Sequence, residues 1–196
     1  MIDQGHPIHR LCLGLLDNAP ELTLEFSRYI HLGYGRTLSR DIFHIKAKHI
    51  NKDWLADQFF TLGEGQELAL HSRVERNGSI FHIPMIDFIN TRSAKEVKPL
   101  IKPVDEMIQA EVWFYCSGQS LHGYYFQLIE ESRWLDYLAK LLLCNRVKRN
   151  SKEIIDQRWV AHSLEHRFSA LRWSHNTHKY RKLPRIINES EQLAYR

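Results

Sequence analysis

The chain has 196 residues and a formal charge of +4 with twelve histidines uncounted, enough for one domain with a real core and too short for two ordinary ones. That mildly basic balance permits a polyanionic partner without demanding one. Three widely spaced cysteines (Cys12, Cys116, Cys144) with no CxxC pair argue against a disulfide framework and a cysteine-rich zinc module. No apolar run reaches the ~18 residues that cross a membrane, and the start lacks a signal-peptide layout, so the cytoplasm is the expected compartment and no membrane partner is expected.

Residues 1–40 read as a helical N-terminal part. Residues 8–17 form a first helix; Asn18 and Pro20 supply a cap and early proline for a second, ELTLEFSRYIHL, ended by Gly33 and Gly35. Residues 41–187 read as an α+β domain. RDIFHIKAKHI alternates apolar and polar side chains and reads as a strand, and KDWLADQFF as a short helix stopped at Gly63 and Gly65. QELALHSRVER and SIFHIPMIDFI flank Asn77-Gly78, the residues of a type I′ hairpin turn. SAKEVKPLIKPVDEMIQA is partly helical, interrupted by Pro99 and Pro103. EVWFYCSG and SLHGYYFQLI form a second strand pair. EESRWLDYLAKLLLCNRV is an amphipathic helix with Trp134, Leu135, Leu138, Leu141 and Leu142 on one face. RVKRNSK is a basic loop, SKEIIDQRWVAHSLEHRF opens a last helical or mixed region, and 188–196 is a polar tail. This order gives an α+β fold: a central, mostly antiparallel sheet flanked by helices packed on one side.

Three segments carry candidate chemistry. Asp87 leaves an apolar strand, where a carboxylate is placed rigidly and calls for a partner or a metal, unless it merely caps a turn or helix. Ser120 and His122, two apart beside the small residues of Cys116–Gly123, face one side and form a hydroxyl–imidazole clamp for phosphates, or a tight hairpin with a satisfied histidine. Asp156 follows Ile154-Ile155 and precedes a stretch bearing Arg158, Arg167, Arg172, Lys179, Arg181 and Lys182. Those side chains, with Arg146, Lys148 and Arg149, hold phosphates in a groove or form a solvated face; Trp159, Trp173 and Tyr180 stack on bases or belong to the core.

Taken together, this motif order resembles the archaeo-eukaryotic primase (primase-polymerase) superfamily over residues 40–185. In that family an apolar run ends Asp-x-Asp, a Ser-x-His contacts nucleotide phosphates, and an apolar residue precedes a third-motif aspartate. The resemblance implies Asp87 and Asp156 as catalytic ligands of Mg²⁺ or Mn²⁺, Ser120 and His122 as nucleotide contacts with His122 also catalytic, and Arg172 and Lys179 beside the triphosphate. It implies a nucleoside triphosphate and single-stranded DNA or RNA as ligands, and protein partners in a defence, mobile-element or repair system. Ile89 stands where the second acid of the first motif belongs, so the resemblance implies a one-aspartate variant with weakened catalysis; an active primase-type nucleotidyltransferase and an interaction subunit with a vestigial site are the alternatives. Glu75 and Glu111 are candidates for a replacement acid. Separately, His162-Ser-Leu-Glu165-His166 matches the H-x-x-E-H pattern of inverted zinc peptidases. The third ligand of such enzymes lies well downstream, and only thirty residues remain, so a polar helix face is the expectation. His175 and His178 are further candidates for a structural metal site.

Overall fold

A computed structural model describes residues 2–33, 36–89, 91–118, 120–145 and 153–187. The expected basic loop with Arg146, Lys148 and Arg149 and the expected tail lie outside them. No helix among the described residues is long and apolar enough to cross a membrane.

The chain opens with α1 (Pro7–Leu11), capped by the His6 ring and continued by one π-helical turn, Cys12–Leu16. The second expected helix is instead β1 (Thr23–Gly33), paired antiparallel with β2 (Arg36–Lys46) on one edge and β3 (Gln66–Arg76) on the other. Its side chains alternate: Leu24 and Phe26 enter an apolar core, while Glu25 and Ser27 are buried on the opposite face. That period of two is a strand's, and pairing on both edges satisfies the backbone groups that a local helix would have satisfied. Asn18 and Pro20 belong to the preceding turn rather than to a helix cap.

Asn77 and Gly78 take φ values of 51° and 80° and join β3 to β4 (Ser79–His82), as the Asn-Gly pair requires. β8 (Ile129–Glu130) extends the sheet beyond β4. β9 (Ala170–Arg172), a strand the sequence reading missed, pairs with the N-terminal half of β3, giving six strands among the described residues. SIFHIPMIDFI is not one strand. Pro84 donates no N–H, the ladder stops there, and the chain crosses into a second antiparallel sheet as β5 (Met85–Asp87). That sheet runs β10 (Arg185–Ile186), β6 (Trp113–Cys116), β7 (Leu121–Tyr124), β5. The observed class is thus α+β with antiparallel sheets flanked by helices, but with two sheets among the described residues where one was expected.

The helices are α2 (Lys52–Phe60), α3 (Ala94–Val97), α4 (Lys102–Ile108), α5 (Glu131–Cys144) and α6 (Gln157–His166). On α5 the buried face is Trp134, Tyr137, Leu138, Leu141 and Cys144. Leu135 and Leu142, assigned to it from sequence, are exposed, because the stripe turns toward Tyr137, whose hydroxyl donates to the Met85 carbonyl. Phe26, Leu68, Leu70 and Trp173 lead the core behind the large sheet; Ile86, Phe88, Leu138, Ile155 and Val160 lead the core behind the small one.

Gly123, beside His122, is held between these layers. A Cβ there would stand 2.9 Å from Val112 Cγ2 and 3.0 Å from Phe88 Cε2. Gly123→Ala should cost about 1–3 kcal/mol through overpacking, read as a melting temperature lower by several degrees. An unchanged melting temperature would mean that those neighbours yield freely.

Candidate functional site

The switch from β4 to β5 places Asp87 directly across the ladder from His122 on β7. A third segment docks alongside. Phe88 bridges Ile155, Ile89 N–H donates to the Ile154 carbonyl at 2.9 Å, and Asp156 N–H donates to the Asp87 carbonyl at 3.0 Å. Asn145 fixes that segment by accepting from Ile154 and Ile155 N–H and donating to the Ile155 carbonyl. Two aspartates sixty-nine positions apart thereby become backbone neighbours. The helix-capping role first considered for Asp87 falls to Asp156, whose Oδ1 accepts from Arg158 and Trp159 N–H at the start of α6.

Asp87, Ser120, His122, Asp156, Arg172 and Lys179 all line one cleft of about 920 Å³, within the size range of small-ligand sites. They are not equally available. The Ser120 hydroxyl donates to the Phe88 carbonyl and holds the end of the β5 segment. Arg172, only 5% exposed, donates to the carbonyls of Ser117, Ser174 and Lys182, and its guanidinium lies 4.4 Å from the Tyr180 ring centre. Lys179 is exposed, its Nζ 3.4 Å from His31 Nε2. Of the other cations named from sequence, Arg158 lines the cleft, while Arg167, Arg181 and Lys182 do not. Trp173 is fully buried with its N–H on the Tyr124 hydroxyl, so it is a core residue and cannot stack on a base. Trp159 is half-buried and donates to the Ala170 carbonyl. Neither acid proposed as a substitute reaches the cleft: Glu111 pairs with Lys98 at 3.2 Å, and Glu75 faces Thr23 at the far end of β3. Among the described residues, the further acid on the cleft wall is Glu165.

Burial raises the Asp87 carboxyl to about 7, with the nearby Asp156 charge adding to the effect and Arg172 and Lys179 opposing it; 28% of its side chain remains open to the cleft. Burial, with a contribution from Arg172, lowers His122 to about 3. His122 is therefore neutral at ordinary pH. Its Nε2 lies 3.9 Å from Asp87, too far for a hydrogen bond, and its buried Nδ1 has no partner among the described residues. The two face each other without forming an ion pair, which leaves both free to answer a ligand's charge.

One wall went unread in the sequence. Tyr29 and Arg40, from β1 and β2, line the cleft. Arg40 donates to Ser27 Oγ at 2.7 Å. Ser27 Oγ also lies 2.8 Å from His71 Nε2, whose Nδ1 meets Glu25 at 2.5 Å. This buried chain fixes a cation in the cleft wall. The period-two alternation of β1 was the available signal, and it was hidden by reading that segment as a helix.

The family model described as archaeo-eukaryotic primase 1D-like matches residues 46–185, which contain all six of the predicted site residues. No curated protein and no solved structure matches the chain.

Proposed function

Because the chain belongs to the archaeo-eukaryotic primase 1D-like family, we propose that its cleft binds a nucleoside triphosphate together with one divalent cation, and that its rim binds single-stranded nucleic acid. The supporting observation is the backbone adjacency of Asp87 and Asp156 with His122 across the ladder. The donor set fits one Mg²⁺ or Mn²⁺, which takes one or two carboxylates and completes its shell with water and phosphate oxygens. When bound, that ion would neutralise phosphate charge. Asp87 and Asp156 would hold it. Neutral His122 would hydrogen-bond a phosphate oxygen, Lys179 would add a positive charge, and Arg172 would hold the floor of the cleft in shape.

Ile89 lines the cleft where a further acid would be needed for a two-metal site. Nucleotide binding therefore outlasts efficient strand synthesis in this reading, and the protein serves as a catalytically weakened subunit in a defence, mobile-element or repair system. Calorimetric titration with ATP is expected to show Mg²⁺- or Mn²⁺-dependent binding, at least about tenfold weaker in Asp87→Ala. Equal affinity in the variant removes the proposal. Vigorous primer synthesis by the unmodified protein, lost in Asp87→Ala, would instead establish an active nucleotidyltransferase.

Binding of single-stranded DNA or RNA should weaken with salt. Three phosphate contacts from Arg40, Arg158 and Lys179 give a log–log slope of about −2. Lys179→Ala should flatten it by about 0.7 without loss of fold. A slope unchanged in that variant puts the nucleic acid elsewhere.

A further inference from the structure

α6 brings a second group of donors to the cleft wall. His162, Glu165 and His166 stand at i, i+3 and i+4, so one helix face presents all three. One donor atom from each lies within 4.8 Å of the other two. The Glu165 carboxylate is 3.3 Å from His162 Nδ1 and 3.9 Å from His166 Nε2. A tetrahedral zinc ion with ligands at ~2.0–2.1 Å sets its ligand atoms about 3.3 Å apart. The His162–Glu165 edge already has that length, and side-chain rotation on a fixed helix closes the others. The two imidazole rings lie 6.0 Å apart, centre to centre, with 8° between their planes. Phe168 backs His166 at 5.9 Å and itself lies flat on the buried His71 at 4.0 Å. All three side chains are half-exposed or more and line the same cleft as Asp87.

We propose that His162, Glu165 and His166 form a Zn²⁺ site with its fourth position open to the cleft. Two imidazoles and one carboxylate suit zinc and disfavour magnesium, and three protein ligands with one open position are the pattern of sites where zinc meets a small ligand. The ion would set a dication on the wall of a cleft whose first motif has Ile89 in place of an acid. Its open position would take water or an anionic oxygen. That last consequence rests on the nucleotide reading; the metal site itself requires only α6.

The test uses tag-free, chelator-treated protein titrated with Co²⁺ and then Zn²⁺. One equivalent of Co²⁺ should bind with the strong visible absorption of a four-coordinate centre and be displaced by one equivalent of Zn²⁺. His162→Ala and His166→Ala should each weaken binding at least about tenfold, since even groups that merely orient ligands are worth that much. Both side chains are solvent-exposed, and unchanged circular dichroism will show that the fold is intact. Asp87→Ala should retain the signal. Equal Co²⁺ binding by the unmodified protein and His166→Ala overturns the proposal, as does loss of the signal in Asp87→Ala alone, which would place the ion at the aspartates. If Co²⁺ binds as described but ATP with Mg²⁺ does not, the zinc site stands and the nucleotide reading falls.

Discussion

Asp87→Asn is expected to raise the thermal stability of the protein above pH 7 and to abolish its stabilisation by Mg²⁺ or Mn²⁺. The carboxyl titrates near 7 in the fold, mainly because it is buried and secondarily because Asp156 is close, against an ordinary value of 3.8. Below pH 3.8 it is neutral in both the folded and the unfolded chain and changes nothing. Between 3.8 and about 7 the unfolded chain releases the proton first, so stability falls as pH rises; above 7 the full cost remains. An isosteric amide carries no such cost. The gain in Asp87→Asn should therefore be small at pH 4, grow through the interval and level off above 7, on the order of 2–4 kcal/mol, or roughly 5–10 °C in melting temperature. The unmodified protein should recover stability as Mg²⁺ is added, because an ion that binds the fold alone shifts the equilibrium toward it. Melting curves at several pH values, with and without metal, check both halves. Parallel pH profiles for the two proteins would contradict the burial argument, and equal metal responses would contradict the ligand assignment. If both expectations hold, the same residue lowers stability and enables binding.

Arg172→Ala should cost about 3–5 kcal/mol, lowering the melting temperature by roughly 10 °C or more. The guanidinium is buried and joins three separate segments through the carbonyls of Ser117, Ser174 and Lys182, with the Tyr180 ring against it. Hydrogen bonds from a charged donor contribute about 1.5–3 kcal/mol each and do not simply add. Arg172→Lys should restore little, because a single ammonium cannot reproduce the planar fork that reaches carbonyls in several directions. Lys179→Ala, at an exposed position, should leave the melting temperature almost unchanged while weakening nucleic-acid binding. Thermal denaturation of the three variants separates these effects. A melting temperature for Arg172→Ala equal to that of the unmodified protein would show that the clamp carries little of the stability, and any loss of binding would then be a direct contact effect.

Local chemistry was legible in the sequence wherever a short segment decides its own conformation. Asn77-Gly78 specified its turn because few other residues take positive φ at both positions. KDWLADQFF formed the short helix expected of it, α2, and the structure adds Asn51 as its cap, accepting from Asp53 and Trp54 N–H. The order of Asp87, Ser120-x-His122 and Asp156 was enough to suggest the family that the matching model then showed. Tertiary structure decided what depends on partners distant along the chain. Residues 23–33 became a strand because β2 and β3 pair with both edges, information absent from any local window. The face of α5 was fixed by what it packs against, so Tyr137 replaced Leu135 and Leu142 in the core. Pro84 lay inside a segment read as one strand; the break there and the crossing into another sheet came from pairing with remote strands. That crossing sets Asp87 opposite His122, and the docking of residues 154–156 through Asn145 brings Asp156 to its side. Residue types named the candidate ligands; long-range pairing alone fixed which of them share a cleft, because backbone hydrogen bonds between remote segments set their distances.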